Sequence, residues 1–264
     1  MAAIGSCLVA IPMKRKHHGR IIDTSVRLTT TPLKAWEAWA DPQQIANWFV
    51  DRASGEAKAG GTMKWFFDTF GYALDVPIAE AEPGRTFVTG GVDHPGPDGI
   101  PYLMEITIER DGDETVMHLV NSGFSTDPAK DDDFNGVVSG WAAALARLKV
   151  WLEHYPLRTR HHDLVVRPAN FTWEGLRPLY ATADARARWM EPDVPAGGTV
   201  LCDTGAELVL ALDDRDGVVD LKAFRMGPQK MVGLDLSVWP AEGVKPEDAR
   251  ARLNRALDRL IALL

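Results

Sequence analysis

Cysteine is nearly absent from this 264-residue chain, which holds only Cys7 and Cys202. Two thiols so far apart offer neither a disulfide framework nor a zinc pattern, which points to a reducing, cytoplasmic home. Positive charge is also in deficit. Lys and Arg number 29 against 37 Asp and Glu, a formal net charge of -8, so no basic face is available to neutralise nucleic-acid phosphates. No apolar run reaches the ~18 residues of a membrane span. The first eleven residues are apolar, but the basic Lys14-Arg15-Lys16 follows them, the reverse of signal-peptide order. Residues 1–19 are therefore expected to form an unstructured N-terminal extension. If translation starts at Met13, the first twelve fall outside the native protein.

Familiar chemical signatures are missing too. There is no recognisable catalytic triad, phosphate-cradling glycine loop or dinucleotide fingerprint. The adjacent pairs His17-His18 and His161-His162 cannot readily aim two rings at one ion, and neither has a third ligand at metal-site spacing. No metal or cofactor is expected.

What remains is a globular composition, 45% hydrophobic and 25% charged, long enough for two ordinary domains. The chain runs through one plan twice. Residues 22–49 (IDTSVRLTTTPLKAWEAWADPQQIANWF) and 163–190 (DLVVRPANFTWEGLRPLYATADARARWM) each read as a strand, a helix carrying aromatics, a break, and a second helical turn. These turns end on Trp48-Phe49 and Trp189-Met190. Each half also closes with an amphipathic helix. In the first its stripe is Phe134, Val138, Trp141, Leu145, Leu148, Leu152 and Tyr155, behind three aspartates that favour a helix N-terminus. In the second it is Ala249, Leu253, Leu257, Leu260 and Leu264, after a Pro246-Glu247-Asp248 start.

Between these helices the period changes to two. Met63-Trp65-Phe67, Tyr72 to Ile78 and Tyr102 to Ile108 alternate in the first half, separated by Phe70-Gly71, Pro83-Gly84 and Asp111-Gly112. Leu208 to Leu212, Val219-Leu221 and Val232 to Val238 alternate in the second, with Asp216-Gly217 and Gly227-Pro228 as turns. Such patterns predict antiparallel meanders with one buried and one wet face. On the wet faces fall Asp68, Asp75, Glu105 and Glu109. The buried phase of the second half is almost purely Leu and Val, without His, Tyr or acid, and reads as a dry structural core.

A series of short motifs in residues 20–155 carries a family resemblance: PLKAWEAW from Pro32, Asp41-Pro42, Asn47-Trp48-Phe49, Gly60-Gly61 before Trp65, EAEP from Glu80, Ser122-Gly123-Phe124 and Ser139-Gly140-Trp141. With them the first half resembles the activator of heat-shock-protein-90 ATPase-like branch of the START/Bet v 1 (SRPBCC) superfamily; the second half resembles the fold only in pattern. The resemblance implies an α+β architecture of two tandem helix-grip domains. Each is a curved antiparallel sheet wrapped around a long C-terminal helix, and the second is shortened. The expected bounds are 20–158 and 161–264. It also implies a cavity between sheet and helix. Bacterial members are mostly assigned as binders of small molecules or lipids, and some relatives are cyclases or dehydratases. A shared fold does not transfer a chaperone partner.

The residues expected to face that cavity are Trp65, Phe67, Tyr72, Tyr102, Met104 and Trp141, an apolar wall with a few polar handles. His118 depends on register. With Val116, His118 and Val120 inward it is a ligand contact or general acid/base; with Met117 and Leu119 inward it is a surface residue. His94, in the loop HPGPDG, reads as a turn near the cavity mouth. The leading expectation is a non-enzymatic protein holding a small apolar or lipid-like ligand in the first domain. The alternatives are a cyclase/dehydratase- or hydrolase-type enzyme using His118 and a pocket tyrosine, and an interaction module without a ligand. The second domain is expected to support the first, or to meet a protein partner or a second copy.

Overall fold

A computed structural model describes residues 15–96, 98–213, 217–245 and 248–264. The apolar start with Met13, Asp216 of the predicted turn and Pro246-Glu247 of the predicted helix start lie outside the described residues.

The fold is α+β, with two antiparallel sheets of seven and five strands. The first unit runs β1 (Arg20–Leu28), α1 (Pro32–Ala40), α2 (Pro42–Ile45), β2 (Arg52–Gly55), β3 (Thr62–Phe67), β4 (Tyr72–Glu82), β5 (Thr86–Pro95), β6 (Pro101–Asp111), β7 (Glu114–Phe124) and the long α3 (Asp131–His154). The second repeats the order with β8 (His161–Pro168), α4 (Trp173–Leu176), α5 (Ala183–Met190), β9 (Thr199–Asp203), β10 (Glu207–Ala211), β11 (Gly217–Met226), β12 (Gln229–Val238) and α6 (Arg250–Ile261). The closing helices have 24 and 12 residues, so the second grip is the shorter one. Among the described residues no helix is long and apolar enough to cross a membrane.

Local chemistry explains the repeated start. Thr31 and Asp41 cap α1 and α2 through their side-chain oxygens, each with a proline in the first turn; Thr172 and Thr182 cap α4 and α5 alike. These caps satisfy amide donors that have no partner inside the helix. In each half a buried tryptophan, just after α2 in the first and within α5 in the second, then reaches back ten residues to the chain before it. Trp48 donates its indole N–H to the Ala38 carbonyl at 2.9 Å, and Trp189 donates to Leu179 at 2.7 Å.

The first sheet has the order β1-β7-β6-β5-β4-β3-β2. Strand β5 has no alternating pattern in the sequence, because Thr86 to Gly90 are buried whichever way they point. The outer face is also less wet than its alternation predicts. Glu109 is exposed, but Glu105 is buried, with the His17 Nε2 3.5 Å from its carboxylate. The reason is that residues 15–19, expected to be a free tail, lie against the sheet. His17 meets Ser122 Oγ at 3.0 Å, and the Gly123 N–H donates to the His18 carbonyl at 2.9 Å.

The second sheet, β8-β12-β11-β10-β9, packs one face on α6 through Leu208, Leu210, Val219, Leu221, Leu234 and Leu236. That face is not free of acid. Asp163 accepts the Ala249 N–H at 2.8 Å near the start of α6. The opposite face, predicted wet, is covered by the first unit. Val209, Val218 and Trp239 join the first unit's core, and α3 lies against β9, β10 and β11. Helix α3 is thus gripped twice. Of its predicted stripe, Trp141, Leu145, Leu148 and Leu152 are buried in the first unit's core, but Val138 is exposed and Tyr155, past the helix end, stacks on Trp239. Ala143, Arg147 and Val150, one turn apart on another side, are buried as well.

This junction is polar. Arg147 pairs with Asp220, which Lys222 also approaches at 2.5 Å. His162 Nε2 lies 2.6 Å from Asp51, with Asp235 3.8 Å from its Nδ1. Arg160 donates to the Val50 carbonyl at 2.6 Å, and Trp239 donates to the Asn47 carbonyl at 2.9 Å. The turn after α2 therefore serves twice, sending Trp48 into the core and offering its backbone to the second unit.

Candidate ligand cavity

Large aromatics fill one end of the space between the first sheet and α3. Trp39 packs edge-on to Trp48 with ring centroids 4.8 Å apart, and Phe49 stacks on Trp141 at 5.1 Å. Beyond Trp141 the filling stops. A cavity of about 860 Å³ opens there, walled by Trp65, Tyr72, Tyr102, Phe124, Phe134 and Trp141.

Four of the seven residues expected at this site, Trp65, Tyr72, Tyr102 and Trp141, do line the cavity. Three do not. Met104 is sealed into the core and Phe67 stacks behind Tyr72 at 5.0 Å. His118 is excluded by register: Ile106 pairs with Leu119 and Ile108 with Met117, and Met117 and Leu119 are fully buried in the core. The imidazole points to the other face, where its Nε2 meets Asp23 at 2.5 Å. His94 does reach the cavity lining.

The polar centre of the wall is Asn121, which the sequence left at the end of an ambiguous strand. The register that turns Met117 and Leu119 inward carries Asn121 inward too. Its side-chain oxygen accepts from the Trp141 indole at 3.0 Å and from the Tyr102 hydroxyl at 3.5 Å, and its amide donates to the Leu103 carbonyl at 3.1 Å. Burial pushes the Tyr102 phenol above its ordinary pKa, so it stays neutral. The Trp65 indole N–H is buried without an acceptor among the described residues.

Two glycines allow the wall to close on Tyr102. Gly90 (φ +84°) and Gly123 (φ +103°) flank it on β5 and β7, and a Cβ would fall 2.2 Å from the Tyr102 carbonyl oxygen or 2.7 Å from its Cα. Only glycine fits so close an approach at positive φ.

The mouth arises where the sheet parts. Strand β4 pairs with β3 over Tyr72 to Pro77 but with β5 only from Ile78 onward. Into the gap face Asp75, Asp93, His94 and Asp98, with Lys130 and Asp133 from the start of α3. Asp75 sits 3.5 Å from Lys64, and Lys130 sits 3.6 Å from Asp133. A second hollow of about 590 Å³, lined by Arg15, Lys16 and His18, shares Pro77, Gly90, Asp93 and His94 with the first. Among the described residues no group of three His, Cys, Asp or Glu could hold a metal ion.

Residues 29–153 match the family model described as Activator of Hsp90 ATPase homolog 1-like protein. No curated protein matches the chain. Among solved structures it is similar to protein SSP2350 from Staphylococcus saprophyticus, at 22% identity over 51% of this chain and 93% of that one, TM-score 0.44. The Aha1 dimer from Colwellia psychrerythraea is 21% identical over 51% of this chain and 97% of that one, TM-score 0.45. DynU16, a putative protein in the dynemicin biosynthetic locus, is 17% identical but spans 92% of this chain and 97% of its own, TM-score 0.43. Likeness at this level says nothing of ligand or partner.

Proposed function

Because residues 29–153 belong to the activator of Hsp90 ATPase homolog 1-like family, we propose that this chain is a non-enzymatic binding protein whose first unit holds a small apolar ligand. The observation that carries the reading is the cavity beyond Trp141. Its volume is that of small-molecule sites, and aromatic walls around a few fixed polar groups suit an apolar guest. The enzyme reading has less support. His118, its proposed acid/base, faces away from the cavity, the charged side chains of the lining gather at the mouth, and Tyr102 stands inside without a histidine or carboxylate beside it among the described residues.

On the same reading, the chain divides between 158 and 161 into two units of common plan, the repeated indole-to-carbonyl bond being the best mark of that plan. The second unit supports the first by holding α3, in place of a protein partner or a second copy.

A cavity-filling variant tests the function. Val137 lines the cavity from α3 and is 36% exposed. Val137→Trp is expected to leave the melting temperature of the free protein nearly unchanged while abolishing the rise that an apolar compound library produces in the wild type. If no compound stabilises the wild type, or if filling the cavity leaves every shift intact, the proposal is wrong.

A further inference from the structure

Resting on that reading, we infer that the ligand is a flat aromatic molecule with a hydrogen-bond acceptor in its body and a protonated amine at its solvent end, and not a fatty acid. Three features carry this. The charged residues of the lining are Asp75, Asp93, Asp98 and Asp133 against Lys130 alone, with His94. Among the described residues no lysine or arginine lines the interior. A carboxylate entering head first would be buried without a counter-charge, and one left at the mouth would meet four aspartates. Lys130 offers it little, being 3.6 Å from Asp133.

An amine at the same mouth meets the reverse situation. Asp75 and Asp133 have lysine neighbours, but Asp93 and Asp98 have no ion-pair partner among the described residues. Tyr72, half exposed in the same lining, adds an aromatic surface that also attracts cations.

The third feature is independent of charge. Trp65 is only 5% exposed, it belongs to the cavity wall, and its indole N–H has no acceptor among the described residues. An orphaned buried donor is costly, and a carbonyl or ether oxygen on the guest would satisfy it. The remaining indole, Trp141, already donates to Asn121. Flat rings suit walls built of two tryptophans, two tyrosines and two phenylalanines, which stack or meet edge to face.

The test uses the full chain and three probes with one ring system: 1-pyrenemethylamine, 1-pyrenemethanol and 1-pyrenecarboxylate, titrated by fluorescence at pH 7. The amine is expected to bind about five-fold tighter than the alcohol, the scale of one solvent-screened charge pair, and the carboxylate weakest of the three. Raising salt, or the double variant Asp93→Asn/Asp98→Asn, should bring the amine-to-alcohol ratio towards one. Three probes of equal affinity, each lost in Val137→Trp, would keep the cavity reading and overturn the charge inference. A carboxylate that binds tightest would overturn it as well, by placing the acid near Arg15, Lys16 and His18 behind the gap. If none of the three binds while members of the apolar library still stabilise the wild type, the aromatic-amine inference falls and the cavity reading stands; if the library fails as well, both fall.

Discussion

Asn121 joins side chains from distant parts of the chain. Tyr102 comes from β6 and Trp141 from α3, and one buried amide oxygen accepts from both. Replacing Asn121 with Ala would leave the Trp141 N–H buried beside an apolar wall. The cost of an unmade buried hydrogen bond is about 1–3 kcal/mol, so Asn121→Ala should lower the unfolding free energy by that amount in urea titrations. It should also weaken apolar ligands, since Trp141 would no longer be fixed in the wall. A variant with unchanged stability would show that this bond holds nothing.

At the scale of elements, α3 does the work of two helices. Its Phe134-to-Leu152 stripe serves the first sheet, while Arg147 reaches Asp220 on β11 and the Trp48 carbonyl. Burial by itself would lower the guanidinium pKa, but Asp220, Asp235 and Glu207 outweigh it and raise it, so Arg147 stays charged. Leaving a buried charge with no partner typically costs about 3–5 kcal/mol, but Lys222 still meets Asp220 at 2.5 Å, so Arg147→Met is expected to cost less than that. The double variant Arg147→Met/Lys222→Met, which takes both cations from Asp220, should reach the full scale. Calorimetric melting of the two variants checks this; equal losses in both would refute a stranded charge as the cause.

For the whole molecule, the junction sets a pH dependence. Burial raises Glu207, on β10, from 4.5 to about 7. Asp220 and Asp235 add to the rise, while Lys222 and Arg147 oppose it. A folded pKa above the unfolded one means that the folded state holds the extra proton between these values. Stability from this group is therefore complete below 4.5 and lost as pH rises through 7. His162 acts in the same direction. Burial would lower its pKa, but Asp235 and Asp51 raise it above 6.5, and its contribution is lost as pH climbs past that raised value. Asp51 and Asp235 are held below their ordinary range despite burial, so their contribution is lost only on acidification below 3.8. Unfolding free energy should thus fall between pH 5 and pH 8. Glu207→Gln should flatten that fall by on the order of 2–3 kcal/mol. An unchanged slope in the variant would remove Glu207 as the cause.

Much of this was legible in the residues themselves. The three aspartates that open α3, the stripes of α3 and α6 and the alternation of six strands all report local geometry, and local geometry is set by near neighbours. Periodicity also reports which residues share a face. It does not report what covers the face it calls polar. Glu207, Asp220 and Asp235 read as solvated positions on a meander, and Arg147 as the wet side of a helix, yet they meet one another because the second sheet closes on α3. Glu105 was misread for the same reason, with residues 15–19 lying over it. At the cavity, the short-range pattern supplied four wall residues and left His118 between two registers. The pairing of β6 with β7 settled the choice, turning His118 out and Asn121 in. The empty end of the grip was likewise a matter of tertiary structure. It depends on where β4 parts from β5 and on how closely Gly90 and Gly123 let three strands approach, distances that arise only once the sheet has formed.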